Sequence, residues 1–409
     1  IPSMVDGLKP SQRKVLFACL KRNLTREIKV AQLAGYVAEH TAYHHGEVSL
    51  HSTIVNMAQD FVGANNLPLL KPSGQFGTRL QGGKDAASSR YIFTHLDPIV
   101  PLLFKPDDDP VLAFGEDDGM SIEPEWYMPV IPFALVNGCD GIGTGWSTSV
   151  PSHHPLDVAQ NVRRHIEGEA MEEMTPWVRG FKGVIEPLLI EGGGAGGAIA
   201  KFTSIGDVET VPKQKNSIRV TELPVRRWTE TYKEWLSEQL QLGVVKDFRE
   251  NHSEVDVDFT VHLTPAGLDT LLKTGAGRSK KAKGAAGKTA KKKSGRPTKE
   301  EKRVNVIKAL RLESTISCTN MHLFNAEGKI RKYDSALDLI EEWVPLRLNL
   351  YAKRREVQLE ALEERAQHRE SKAQFIRDVV AGASLANSTS FHVSRLASSL
   401  SSLSLSPPP

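Results

Sequence analysis

Cysteine is scarce in this sequence: Cys19, Cys139 and Cys318 are the only three in 409 residues. They stand far apart and are odd in number, so they fit neither a zinc pattern nor a disulfide framework, which favours a reducing compartment. Long apolar runs are also missing. No stretch approaches the roughly 20 residues of a membrane-spanning helix, so no membrane partner is expected. Ile1-Pro2-Ser3 is neither a start methionine nor a signal sequence, and the chain reads as a fragment that begins inside a longer protein. Calcium-loop spacing is absent as well. Asp107-Asp108-Asp109 and Glu116-Asp117-Asp118 lack the alternating acids, central glycine and terminal glutamate of such a loop, and are expected to be solvated loop carboxylates. No metal site is assigned.

What is present is a globular composition, 40% hydrophobic and 25% charged, with room for two or three domains. The net charge of +3 conceals an asymmetry. Residues 278–303 hold twelve Lys/Arg and two Glu, a local +10, and removing it leaves −7 for the rest. Nucleic-acid contacts in the folded part must therefore come from local patches, with Lys9, Arg13, Lys14, Lys71, Arg79, Lys84 and Arg90 as candidates.

Apolar spacing predicts helices over 11–23, 29–40 and 47–62, the last with Leu50, Ile54, Met57, Ala58 and Phe61 on one face. The Tyr43-His44-His45-Gly46 corner between the second and third suggests a helix-turn-helix. His44 and His45 admit three readings: surface turn residues, metal ligands (disfavoured, because no Cys or carboxylate stands at ligand spacing), or a neutral donor to a phosphate oxygen. Residues 125–137 contain Pro129 and Pro132 and read as an extended apolar segment entering a flexible glycine-rich loop. A second, mixed block follows, with helices at 155–168 and 229–241 and strands at 198–205, 217–222 and 255–263. Ile316–Phe324 reads as one strand, and 335–380 as a long charged helix in which Pro345 marks a kink or a start. Arg226 and Arg227 are exposed surface charges or contacts to duplex. The Gly192–Gly197 patch, the basic stretch 274–303 and the Ser/Leu/Pro-rich tail are expected to be disordered. The basic stretch suits either phosphate binding or nuclear localisation. The tail reads as a truncation or an aberrant end.

The chemistry concentrates in one stretch. Gln75-Phe76-Gly77-Thr78-Arg79 and Gly82-Gly83-Lys84-Asp85 lead into Ser89-Arg90-Tyr91-Ile92-Phe93-Thr94, a β-prone segment with a guanidinium beside a phenol. Either Tyr91 is an ordinary packed tyrosine next to a surface arginine, or it is a nucleophile whose transition-state charge Arg90 neutralises. Downstream, Asn137-Gly138-Cys139-Asp140-Gly141-Ile142-Gly143-Thr144-Gly145-Trp146-Ser147 is either a tight surface turn over a core isoleucine or a loop presenting Ile142 as an apolar wedge.

Together with Gly7-Leu8-Lys9-Pro10-Ser11-Gln12-Arg13-Lys14 and Tyr43-His44-His45-Gly46-Glu47, these motifs occur in an order that resembles the DNA breakage-reunion region of the type IIA DNA topoisomerases, on the eukaryotic topoisomerase II side. The resemblance covers most of residues 1 to about 375. It implies an α+β multidomain fold: a winged-helix (helix-turn-helix) cleavage domain over 1–150, a tower-like α+β domain over 151–334 with the basic insertion 274–303, a long coiled-coil helical arm over 335–381, and a disordered tail over 382–409.

The resemblance further implies that Tyr91 attacks a DNA phosphate to form a transient 5′-phosphotyrosine link, with Arg90 and His45 stabilising the transition state. Lys9, Arg13, Lys14, Arg79, Lys84 and Ile142 would contact double-stranded DNA, Ile142 as the wedge that kinks it. A homodimer acting in the nucleus is implied, with Mg2+ and ATP bound by regions outside this chain, so the chain alone would be catalytically incomplete. The rival reading is a non-enzymatic winged-helix DNA-binding or architectural protein.

Overall fold

A computed structural model describes residues 1–188, 201–211, 216–267 and 305–380. The Gly192–Gly197 patch, the basic stretch 274–303, the tail and the first part of the strand expected at 198–205 lie outside those residues. Two compact units are present, one made of Ile1–Lys105 with Leu112–Leu346, the other of Pro106–Val111 with the chain from Arg347 onward.

The first unit begins with three helices: α1 (Pro10–Lys21), α2 (Val30–His40) and α3 (Glu47–Ala58). Pro10 is the first helical residue of α1, where a missing N–H costs nothing. A three-stranded antiparallel sheet completes this part in the order β1 (Ile28–Lys29), β3 (Phe93–Leu96), β2 (Leu70–Ser73). Three helices on a small sheet form the winged-helix arrangement. Val15, Leu16, Leu33, Val37, Leu50 and Ile54 make its core, each no more than 1% exposed. The third helix stops four residues short of the expected end, because Gln59 turns extended (φ −62°, ψ 132°). Phe61 therefore leaves the helical stripe, and its ring meets Trp228 edge-on at 5.9 Å.

Further along, the short α4 (Val100–Leu103) precedes a hairpin of β4 (Phe114–Asp117) and β5 (Met120–Pro124). The segment expected to stay extended turns helical after Pro132, as α5 (Phe133–Asn137), because a proline at the N-cap removes no helical hydrogen bond. The glycine motif that follows is a regular hairpin, β6 (Cys139–Gly143) with β7 (Trp146–Val150), and not a loose loop. Asn66, buried, holds this region from below: its Nδ2 donates to the Val136 and Trp177 carbonyls at 2.9 and 3.1 Å.

The mixed block contains α6 (Pro155–Glu167), the sheet β8 (Val184–Pro187), β9 (Lys201–Ile205) and β14 (Glu313–Ser317), and a four-stranded antiparallel sheet. The latter runs β10 (Asp207–Thr210), β11 (Ser217–Glu222), β13 (Phe259–Leu263), β12 (Val245–Glu250), with α7 (Thr229–Gln241) packed on it through Tyr232, Trp235 and Leu236. The strand expected from 255 starts only at Phe259. Ser253 Oγ accepts the amides of Val255 and Asp256, and that side-chain turn replaces the ladder there. The strand expected over Ile316–Phe324 is two strands, β14 and β15 (Met321–Phe324), interrupted at 318–320; β15 pairs with β16 (Ile330–Tyr333).

The long helix spans Ala336–Val380 with Pro345 inside it, so the proline does not start the helix. Its first turns are fixed by burial of Leu339, Ile340, Trp343 and Val344, and Trp343 Nε1 donates to the Val5 carbonyl at 3.0 Å. In the second unit, the acidic run departs from the expected solvated loop. Asp108 is buried and takes Arg347 Nη1 at 2.6 Å and Arg354 Nη1 at 3.1 Å.

One buried histidine makes the fold sensitive to acid. His153, whose Nδ1 lies 3.4 Å from the Leu135 carbonyl, is pushed down from 6.5 to about 4, by burial above all. The unfolded chain thus binds a proton between those two values that the folded chain refuses, so stability falls as pH drops through this window. The loss is on the order of 3 kcal/mol below pH 4. Thermal melts at pH 7 and pH 5 should therefore differ more for the native chain than for His153→Gln. Equal acid sensitivity in the two would contradict the assignment.

Candidate active site

Tyr91 is held by its backbone and left free at its ring. Its amide donates to the Ser88 carbonyl at 2.9 Å, closing a tight turn, while Val30 and Ala31 at the start of α2 donate to the carbonyls of Ile92 and Ser89 at 3.0 and 3.1 Å. Ile92 anchors the turn in the core at 1% exposure, packed over Gly74, whose φ of +103° and 3.1 Å Cβ approach to Ile92 admit no side chain without strain. Tyr91 itself is 72% exposed, and Arg90 beside it is exposed. A phenol on fixed backbone but out of the core does no packing work, so the ordinary buried-tyrosine reading fails. The regular strand begins only at Phe93, four residues after the start of the β-prone segment at Ser89.

His45 is exposed just before Gly46, the N-cap of α3, and meets the Tyr43 ring edge-on at 5.6 Å. Lys84 is exposed on the glycine-rich loop. Lys9 lies at the N-terminal end of α1 and lines an open cleft of about 420 Å3 with Gln12, Asn56, Asn65, Asp140 and Arg226. Of these polar neighbours, Lys9 and Arg226 stood out in the sequence and Gln12 and Asp140 lie within its motifs, whereas Asn56 and Asn65, as single amides, carry no motif. The Cys139 thiol on the same cleft is pushed up to about 12, by burial first and then by Asp140, so it stays protonated at neutral pH.

Three candidate DNA cations turn out to be engaged internally. Arg13 is buried and grips Asp6 with Nε to Oδ2 at 2.7 Å and Nη2 to Oδ1 at 3.1 Å. Arg79, 5% exposed, pairs with the buried Glu222 through both terminal guanidinium nitrogens, Nη1 and Nη2. Lys14 Nζ contacts Glu123 Oε1 at 2.7 Å and the Thr41 carbonyl at 2.6 Å. Arg13 and Arg79 serve as internal ties here: each guanidinium is buried against a carboxylate and would have to break a buried pair to reach phosphate. The glycines around Arg79 are likewise set by packing. A Cβ on Gly82 would come within 2.3 Å of the Trp228 ring, and one on Gly83 within 2.3 Å of the Gln59 side chain.

Ile142 is the opposite case. It is 91% exposed on β6, while Gly141 and Gly143 on the other face lie against Pro2 and Ile1. Strand alternation alone turns the isoleucine outward. The hairpin beneath it is braced from several sides. Asp140 pairs with Arg226 at 2.7 Å, Ser149 N donates to the Asn320 carbonyl at 2.8 Å, and His322 N donates to Thr148 Oγ1 at 3.0 Å. Arg226 is therefore tied to the hairpin. Its φ of +63°, uncommon for an arginine, marks local strain held by that contact.

Among the described residues no group of three or more His, Cys, Asp or Glu is disposed to hold a metal ion. The Asp256/Asp258 pair, which has the spacing of an Asp-x-Asp motif, is engaged by Lys182 at 2.6 Å and Arg219 at 2.8 Å. These residues do not fit a Mg2+ site.

The whole-chain comparisons agree with one another. Residues 1–275 and 290–402 match the family model that describes the A subunit of DNA gyrase/topoisomerase IV. DNA topoisomerase 2-alpha of Mus musculus is 44% identical over 388 residues, 93% of this chain and 23% of that protein. DNA topoisomerase 2 of Arabidopsis thaliana is 44% identical over 390 residues, 95% of this chain and 24% of that protein. The crystal structure of the Plasmodium falciparum topoisomerase II DNA-binding, cleavage and re-ligation domain superposes with a TM-score of 0.81 at 39% identity, covering 95% of this chain and 48% of that one. The chain thus spans about a quarter of the length of these curated relatives.

Exposure and pairing separate the roles of Arg79 and Ile142 in one experiment. Arg79→Met leaves Glu222 buried without its partner and should cost about 3–5 kcal/mol. Ile142→Ala removes an exposed side chain and should change stability by less than about 0.5 kcal/mol. Thermal unfolding of both variants checks this. A stable Arg79→Met or a markedly destabilised Ile142→Ala would reverse the assignments.

Proposed function

The chain belongs to the family of DNA gyrase/topoisomerase IV A subunits, and from that premise we propose that it is the DNA breakage-reunion part of a type II DNA topoisomerase. The observation that carries the proposal is Tyr91, exposed beside Arg90 on a turn fixed by main-chain bonds to α2. In this reading the Tyr91 Oη attacks a backbone phosphate of duplex DNA. A P–O(tyrosine) bond forms as the P–O3′ bond breaks, the phenolic proton leaves, and the 3′ oxygen departs as a hydroxyl. One phosphodiester is exchanged for another, so reversal needs no external energy. Arg90 and His45 stabilise the charge that grows on the phosphate oxygens. A tyrosine ionises near pH 10 in water, so cationic neighbours are needed for attack at neutral pH.

Lys9 and Lys84 are proposed to contact phosphates, and Ile142 to enter the base stack, where an aliphatic wedge kinks the duplex. The brace under the hairpin suits that task, because a wedge works only if its support resists the reaction of the DNA. The proposed division is a winged-helix cleavage domain over 1–150, a tower-like domain over 151–334 and a coiled-coil arm over 335–381. A homodimer cutting both strands, a nuclear setting, and Mg2+ and ATP held by regions outside this chain complete the proposal. An architectural, non-cutting winged-helix protein is the less favoured reading, since it gives no role to an exposed phenol held this firmly.

Supplied with a Mg2+-binding domain, Tyr91→Phe should bind duplex as the native chain does and form no covalent adduct on a denaturing gel. An adduct from the Phe variant would refute the nucleophile. The same duplex, labelled at both ends for fluorescence transfer, should lose most of its bend with Ile142→Ala, because the wedge is gone while the fold remains. A full bend with the Ala variant would exclude the wedge.

A further inference from the structure

A chain of polar contacts lies two residues before Tyr91. Ser89 Oγ sits 3.3 Å from His51 Nδ1, and the other ring nitrogen, Nε2, lies 3.3 Å from Glu47 Oε1. Glu47 and His51 are one turn apart on α3, so the helix itself sets the carboxylate beside the imidazole. His51 Nε2 is buried and makes no well-formed hydrogen bond, which leaves its contact with Glu47 electrostatic. The nearby carboxylate favours the tautomer with its proton on Nε2. Nδ1 is then the acceptor, and the Ser89 hydroxyl donates to it.

The backbone of Ser89 is restrained separately, since its carbonyl accepts from Ala31 N at 3.1 Å. Ser89 is therefore held by two helices, by α2 through its main chain and by α3 through its side chain. The third helix is also the one whose N-terminal end follows His45 and Gly46. The His51–Ser89 bond thus joins the segment that bears His45 to the segment that bears Tyr91. A serine or a histidine at these positions carries no motif by itself. Only the fold brings them together.

We propose that His51 is a positioning residue for the Tyr91 nucleophile: by accepting the Ser89 hydroxyl it sets the Tyr91 turn against the His45 end of α3. The inference rests on the reading of Tyr91 as the nucleophile. His51 and Ser89 act on the geometry of attack and not on the affinity for DNA. Loss of their bond leaves the exposed cations in place and lets the phenol drift from the line of attack. Small errors of that kind are costly in rate, because in-line displacement depends on the alignment of the reacting atoms.

Single-turnover adduct formation on a short duplex, with a Mg2+-binding domain supplied, tests this. His51→Ala and Ser89→Ala should each slow the reaction by about tenfold, with the duplex Kd changed by less than about twofold. Because both break one bond, the double variant should be no slower than the slower single. Ser89→Thr, which keeps the hydroxyl, should recover most of the rate, and His51→Gln, which keeps an acceptor, should recover part of it. Losses that multiply in the double variant, a Thr variant as slow as Ala, or single variants at the native rate would overturn the positioning role. Tyr91→Phe run alongside separates the two levels. If it still forms an adduct, the nucleophile reading fails; if it forms none while His51→Ala and Ser89→Ala react normally, only the positioning role fails.

Discussion

The ion pair between Arg79 and Glu222 is the constraint on which the rest of the first unit depends. Glu222 is fully buried on β11 and also accepts the amides of Lys182 and Leu223, so its charge is met on every side. Arg79 carries the glycine-rich loop that leads to Tyr91. Two main-chain bonds continue the tie: Thr229 and Glu230, at the start of α7, donate to the carbonyls of Arg79 and Leu80 at 3.4 and 3.0 Å. The helix N-terminus thereby finds acceptors for its orphan amides in the loop itself. Gly82 and Gly83 then let Trp228 and Gln59 close over the loop. A buried pair of this kind contributes little net stability compared with an apolar equivalent, but breaking it is costly, and that asymmetry fixes the loop in one place.

A rigid frame of this sort explains how two exposed residues come to be held so firmly. Tyr91 and Ile142 each stand on backbone that is bonded on several sides, and each has an apolar or glycine face turned inward beneath it. In the proposed reaction the first must reach a phosphate in line and the second must push against stacked bases. Both tasks require a side chain that solvent can reach and a support that does not yield. The His51–Ser89 bond extends the same logic to the relation between the two segments of the proposed cutting site.

Much of this was legible in the sequence because the motifs that carry the chemistry are contiguous. Gly-Gly-Lys-Asp with Arg-Tyr, the His-His-Gly corner and the Gly-Ile-Gly repeat mark the candidate site as runs of neighbouring residues. Helices with a clear apolar stripe, such as Thr229–Gln241, fell where expected. What could not be read was pairing across the chain. Nothing in the local sequence distinguishes Arg79, whose partner is Glu222, from Lys84, which faces solvent. The same holds for Asp108, which looks like a solvated loop acid until Arg347 and Arg354 close on it. Strand ends were misjudged where a side chain competes with the ladder, as Ser253 does ahead of β13. The sequence left Ile142 open between a core residue under a turn and an outward wedge, and only the hairpin decided which face it took.

The central claim is that Tyr91, and no other residue, takes the DNA phosphate. The most direct measurement is to trap the covalent complex with denaturant, digest both protein and DNA, and locate by mass spectrometry the residue that still carries a nucleotide. The account predicts a single modified peptide containing residues 90–94, with the phosphate on the Tyr91 oxygen and a 5′ linkage to the nucleotide. A nucleotide carried by any other residue, or a 3′ linkage on Tyr91, would contradict it.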